Sequence, residues 1–378
     1  MQRRKFVKSL AAGSAGAAVI GASATASAER LSPSWSSGQQ VTGRMTVGCQ
    51  HGGTSIKNLE FLARHGVFNM DADQPKFIAG TGWDLDDSLS KKEVCEKYGI
   101  SMDAYHLPLT SAGIDNVATP NIMLGKSPER DREIEIIQQM ITVAAKSGVK
   151  VLNYNTTILP ILRTERTVDP GRGNASYSTW NYEEAIRNGL DKEPVTGGAV
   201  SIDEMYERIT YFLDRVLPVA EEFKVKLANH IADPPVPSGY RNITRWNSPD
   251  VFEGIKRFAN LYDSQYHGFN LCLGSTAEGL KDPVIEILPI IKWVGDRNQI
   301  FNIHLRNIKG GWNNFQEVYP DNGDMNFVQV VKALKAVGYS GMVMPDHIPQ
   351  HSDPGSGLQG HAFAFGYIKA LIQAVYEA

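Results

Sequence analysis

The sequence predicts an α/β fold of the (β/α)8 kind, a TIM barrel, and three observations carry the prediction. Eight short apolar runs alternate with longer segments whose apolar residues recur every three or four positions. The runs are rich in apolar residues, as strands covered by helices are. No glycine-rich phosphate fingerprint follows the first run, which weighs against the alternative, an open doubly wound sheet.

The strands read in order as 45–49 (MTVGC), 67–71 (VFNMD), 101–107 (SMDAYHL), 149–155 (VKVLNYN), 225–231 (VKLANHI), 268–274 (GFNLCLG), 301–307 (FNIHLRN) and 341–347 (GMVMPDH). Two of the intervening helices announce their ends. Ser201 is an N-cap with Glu204 three residues on, the capping-box signature, ahead of a helical pattern running to residue 223. Ser127 precedes Pro128 at a first helical position, and Gly148 marks that helix's stop. The last helix is expected over 362–378. Two connections are longer than a barrel needs: Asn155 to Ser201 after the fourth strand, and 232–250 after the fifth. Both lie at the face where barrel enzymes keep their sites, so lids or binding loops are expected there.

Composition sets the class. The chain has 378 residues, 42% of them hydrophobic and 21% charged, with a formal net charge of -3. These are values for a soluble globular protein, without the basic stripe that nucleic-acid binding needs. Near the N-terminus Arg3-Arg4, Phe6 and Lys8 precede an Ala/Gly-rich apolar stretch ending at Ala26-Ser27-Ala28. That pattern reads as a Tat export signal over 1–28, with a single catalytic domain over 29–378 and a periplasmic location. The stretch is short for a membrane anchor, so no membrane partner is expected once it is cleaved. Three cysteines, Cys49, Cys95 and Cys272, make no disulfide framework. Nothing in the composition speaks against a homo-oligomer.

The chemistry-bearing residues fall at strand ends. His230 ends the fifth strand, Cys272 lies late in the sixth, His304 late in the seventh, and Asp346 ends the eighth. Four consecutive strands thus offer one metal-ligand side chain apiece at the same rim. Two imidazoles, a thiolate and a carboxylate suit Mn²⁺, Fe²⁺, Co²⁺ or Zn²⁺ rather than Mg²⁺. By the two-residue period Arg306 shares the face of His304 and is expected to fork a substrate carboxylate or phosphate. Asn153 and Asn155, two apart at the end of strand four, are candidate donors to substrate hydroxyls. His347 follows Asp346, and a nearby cation lowers an imidazole's pKa, which makes His347 a candidate acid or base.

At these residues the chain resembles the mannonate dehydratase family, metal-dependent barrel enzymes that convert D-mannonate to 2-keto-3-deoxygluconate. The resemblance rests on LGKSPERDREIE (124–135), GVKVLNYNTTILPILRTERT (148–167), KLANHIADPP (226–235), GFNLCLGS (268–275), NIHLRNIK (302–309), GDMNFVQVVKALKAVGYSG (323–341) and PDH (345–347). It implies metal ligands at His230, Cys272, His304 and Asp346, Mn²⁺ or Fe²⁺ as the ion, acid/base work for His347 and a small sugar acid as partner. The chain also departs from the family. After PDH the family has a tyrosine for proton transfer, whereas 353–367 reads DPGSGLQGHAFAFGY, with Tyr367 the nearest. His361, where the family commonly has a basic residue, is the expected substitute on the substrate side, with His351 the other. Family members are cytoplasmic, unlike a Tat-exported chain. Two rival readings stay open: a metal-dependent isomerase or epimerase of a xylose-isomerase-like barrel, and an exported sugar-acid binding protein without turnover.

Overall fold

The computed structural model describes residues 43–377. Eight parallel strands close into a barrel in chain order: β1 (Thr46–Cys49), β2 (Asn69–Ala72), β3 (Ser101–His106), β4 (Val151–Tyr154), β5 (Lys226–His230), β6 (His267–Cys272), β7 (Ile300–His304) and β8 (Met342–Met344). Each is followed by a covering helix: α1 (Ile56–Arg64), α2 (Leu85–Glu96), α3 (Glu129–Ser147), α4 (Ile202–Phe223), α5 (Val251–Ala259), α6 (Pro283–Gly295), α7 (Phe327–Ala336) and α8 (Ser356–Glu377). The expected (β/α)8 architecture is therefore the observed one, and no residue of β6 or β7 is exposed to solvent. The export segment at 1–28 lies outside the described residues. Among the described residues no helix is long and apolar enough to cross a membrane.

Local chemistry explains the boundaries. The α4 capping box forms as expected, Ser201 Oγ accepting from the Glu204 N–H at 3.3 Å and Glu204 Oε2 accepting from the Ser201 N–H at 2.8 Å. The buried stripe of α4, Met205, Ile209, Phe212, Leu213, Val216 and Ala220, keeps the helical period against the barrel. In α3 the start differs by one residue, because Pro128 occupies the N-cap position rather than the first turn, and Gly148 closes the helix with φ +84°. β8 is only three residues long, since Pro345 has no N–H to continue the ladder. The last helix begins at Ser356, earlier than expected.

The long connections do not hang free. Within the β4–α4 connection, Thr179–Asn181 pairs antiparallel with Asn314–Val318, a strand in the β7–α7 connection that also pairs with Asn307–Gly311. A three-stranded sheet therefore ties two excursions together above the barrel mouth. The 232–250 connection is packed as well: Arg245 and Trp246 are buried, and Val200 bridges Ile243.

Candidate metal centre

His230, Cys272 and His304 are the last residues of β5, β6 and β7, and Asp346 lies two residues past β8. The register sets Cys272 level with His304, and His304 level with Met344. All four side chains are buried, and one ligand atom from each lies within 4.8 Å of the others.

The surroundings of each atom fit a divalent transition ion. His230 Nδ1 donates to the Ile231 carbonyl at 2.6 Å, which leaves the Nε2 lone pair for a ligand. His304 Nδ1 is buried with no hydrogen-bond partner, 3.7 Å from Asp346 Oδ1, while its Nε2 sits 3.1 Å from the Asn270 amide. With that amide turned so its oxygen accepts the Nε2 proton, Nδ1 presents a lone pair to the centre. Burial pushes the His230 imidazole down to about 4 and holds that of His304 well below its ordinary range, so both stay neutral. Cys272 Sγ accepts from the Ser275 N–H at 3.4 Å and hydroxyl at 3.3 Å and lies 3.5 Å from Asp346 Oδ2. Burial raises that thiol's pKa, so a cation is what displaces its proton. Asp346 is the reverse case: burial works against its charge, yet His347, Arg306 and His304 hold the carboxyl well below the usual range. Gln50 Nε2 donates to Asp346 Oδ1 at 2.8 Å and fixes its orientation.

Arg306 is not placed as expected. β7 ends at His304 and the chain turns out of the barrel, so the two-residue period does not extend to Arg306. Its guanidinium has no solvent exposure and is already committed. Nη2 donates to Asp233 at 2.8 Å, Ser275 at 2.9 Å and Glu278 at 2.8 Å, and Nη1 donates to Glu317 at 2.9 Å. Gly274 makes this possible, because a Cβ there would collide with the arginine side chain. Arg163 reaches the same acids, pairing with Asp233 at 2.6 Å and with Glu317. Burial and the Asp233 charge push Glu278 up to about 8, so two guanidinia face two carboxylates and a neutral acid.

His347 stands at the edge of this network, its Nδ1 2.9 Å from both Glu317 oxygens. Burial lowers its pKa, but Asp346 and Glu317 outweigh burial and push it up to about 9, the opposite of the expected direction. A cation on Asp346 acts against that rise.

The remaining candidates divide. Asn155 lines a cavity of about 140 Å³ shared with His106, His230, His304, Asp346 and His347. Asn153 does not meet it: the side chain is fully buried and donates to Asp71 at 2.7 Å. His361 lines an adjoining cleft of about 350 Å³ with Arg166, Glu317, Asp346 and His347. Burial and nearby His51 push His361 down to about 4, so it faces the cleft as a neutral imidazole, not as a cationic anchor. His351 turns to Asp353 at 3.6 Å, and Tyr367 stacks on Phe363 along α8.

Sequence reasoning missed Gln50, His51, His106 and Asp233 in this cavity and Asp71 behind it. The signal was the strand-end rule already used for β5 to β8: β1, β2 and β3 run into Gln50-His51, Asp71 and His106 in the same way. Arg163 and Glu317, carried by the excursions, had no such signal.

Similarity to known proteins follows the same lines. The family model described as D-mannonate dehydratase (UxuA) matches residues 183–378. A mannonate dehydratase of Thermotoga petrophila is 30% identical over 335 residues, covering 78% of this chain and 87% of its own. One from Streptococcus pneumoniae is 27% identical over 329 residues, covering 79% and 85%. The crystal structure of mannonate dehydratase from Streptococcus suis serotype 2 superposes with a TM-score of 0.70 at 26% identity, covering 88% of this chain and 93% of that one. A xylose isomerase domain protein from Planctomyces limnophilus, at 11% identity and TM-score 0.55, shares the fold alone. The expected periplasmic location does not stand: the likeness is to mannonate dehydratases, and the 1–28 segment that suggested export lies outside the described residues. With the model covering half the chain and relatives aligned along most of the barrel, this chain belongs to the mannonate dehydratase family, and it is a carbon–oxygen lyase acting on a sugar acid.

Proposed function

We propose that the substrate is D-mannonate, the product 2-keto-3-deoxy-D-gluconate, and the ion Mn²⁺ or Fe²⁺ held by His230, Cys272, His304 and Asp346. The observation that carries this reading is the convergence of two neutral imidazoles, a thiol and a carboxylate within 4.8 Å at one barrel rim. Dehydration removes the weakly acidic C2 proton and the C3 hydroxyl. An ion at this centre supplies Lewis-acid stabilisation of the charge that develops on the acid. His347 moves a proton at C2 or C3, and Asn155 donates to a substrate hydroxyl.

Arg166, not Arg306, meets the substrate carboxylate. It lines the cleft beside His347, and among the described residues it bonds only to neutral groups, Ser176 Oγ at 2.8 Å, the Ser176 carbonyl at 2.6 Å and Ser178 Oγ at 3.3 Å. A charge-assisted hydrogen bond contributes about 1.5–3 kcal/mol, so Arg166→Ala is expected to raise KM roughly 10- to 100-fold with kcat little changed. Steady-state kinetics checks it, and an unaltered KM removes Arg166 from the site.

Cys272→Ser is expected to weaken metal retention by at least ~10- to 100-fold, the loss seen when even supporting partners of a ligand are removed. Elemental analysis after dialysis reads it out; full occupancy in the variant contradicts the assignment. The function itself is tested by metal analysis of anaerobically purified protein, with a screen of hexonates for 2-keto-3-deoxy acids. Products that keep every substrate oxygen would identify an isomerase instead, and binding without any product a non-catalytic carrier.

A further inference from the structure

We propose that His106, held by Asp71, is the second proton-transfer residue of the dehydration, acting on the same cavity as His347. The inference rests on the dehydratase reading above and adds to it a residue that the family resemblance did not supply.

His106 is the last residue of β3, and its Nδ1 lies 3.0 Å from Asp71 Oδ2 on β2. Asp71 has no side-chain exposure and also accepts the Asn153 amide at 2.7 Å, so it is a fixed acceptor. This contact pins the ring and leaves Nε2 as the atom with no partner among the described residues. The side chain is 30% exposed, and it lines the 140 Å³ cavity with the metal-ligand residues and His347. A histidine serving only to tie β2 to β3 has no need of that opening. Burial lowers its pKa, but the Asp71 charge outweighs burial and favours a ring able to carry a proton.

A second wall repeats the arrangement. His347, past β8, rests on buried Glu317. His106 ends β3 and His347 follows β8, three places apart in the eight-stranded barrel, so the two carboxylate-backed imidazoles meet the one cavity from different walls. Dehydration needs such a pair. One imidazole takes the C2 proton, the C–H electron pair becomes the C2–C3 double bond, and the C3–O bond breaks. The departing hydroxide takes a proton from the other imidazole and leaves as water. The enol then shifts its proton from oxygen to C3, giving the 2-keto-3-deoxy acid with no net oxidation.

The test uses full-length enzyme loaded with Mn²⁺ and assayed on D-mannonate. His106→Gln is expected to lower kcat ~10²- to 10⁴-fold, with Mn²⁺ content unchanged and KM within roughly three-fold of wild type. One limb of the bell-shaped kcat/KM profile should vanish. Asp71→Asn, which keeps the imidazole, should lower kcat less and move that limb to lower pH, because the charge that raises the ring's pKa is gone. A His106→Gln enzyme with wild-type kcat, with both limbs intact, or with depleted Mn²⁺ overturns the proposal. A wild-type enzyme that yields no 2-keto-3-deoxy acid from any hexonate overturns the dehydratase reading, and this proposal with it.

Discussion

Arg306→Met is expected to lower the free energy of unfolding by about 3–5 kcal/mol, the usual cost of removing one partner from a buried ion cluster. In the native protein this guanidinium donates to Asp233, Glu278 and Glu317, and all three acids have nearly unexposed side chains. Without it, Asp233 and Glu317 share Arg163 alone, and one negative charge is left inside the barrel without a counter-charge. Lysine is a poor replacement. A single ammonium cannot reproduce the forked contacts, and the channel beside Gly274 is shaped to the arginine stem. Denaturant unfolding of wild type, Arg306→Met and Arg306→Lys at pH 7 measures the effect. A midpoint unchanged in both variants would show that the cluster contributes nothing to stability.

His347→Gln is expected to keep the metal and lose ~10²- to 10⁴-fold in kcat, the range for removing a positioned general acid or base. Glutamine preserves a hydrogen bond to Glu317 but neither takes up nor releases a proton near neutrality. The variant therefore separates packing from proton transfer. Asp346 keeps its bond from Gln50, so elemental analysis should find the same ion content in both proteins. Near-native turnover in His347→Gln would remove this imidazole from the chemistry.

The barrel was legible in the sequence because its strands are covered on the outside by helices and read as short runs rich in apolar residues. The positions of His230, Cys272, His304 and Asp346 were legible for a related reason: a parallel barrel places every strand's C-terminal end on one face. Where the strand period was extended past a strand's real end, it failed. Arg306 lies two residues beyond β7, where the backbone leaves the barrel, and its direction is set by three acids that arrive from elsewhere in the chain. Glu317 shows the same limit. It stands on a strand outside the barrel, and only long-range pairing brings it to His347. The expected lowering of the His347 pKa rested on a nearby cation alone, and Glu317, which helps to raise it, has no mark in the sequence around His347.

The antiparallel pairing of Thr179–Asn181 with Asn314–Val318 reaches further than the geometry of the mouth. Glu317 lies on the segment fastened in this way, so the backing of His347 depends on residues more than a hundred positions earlier in the chain. Deletion of Thr179–Asn181 should therefore disable turnover although none of its side chains meets the sugar acid. Over evolutionary time the two insertions should lengthen, shorten and exchange residues in concert, and a homologue lacking one should lack the other.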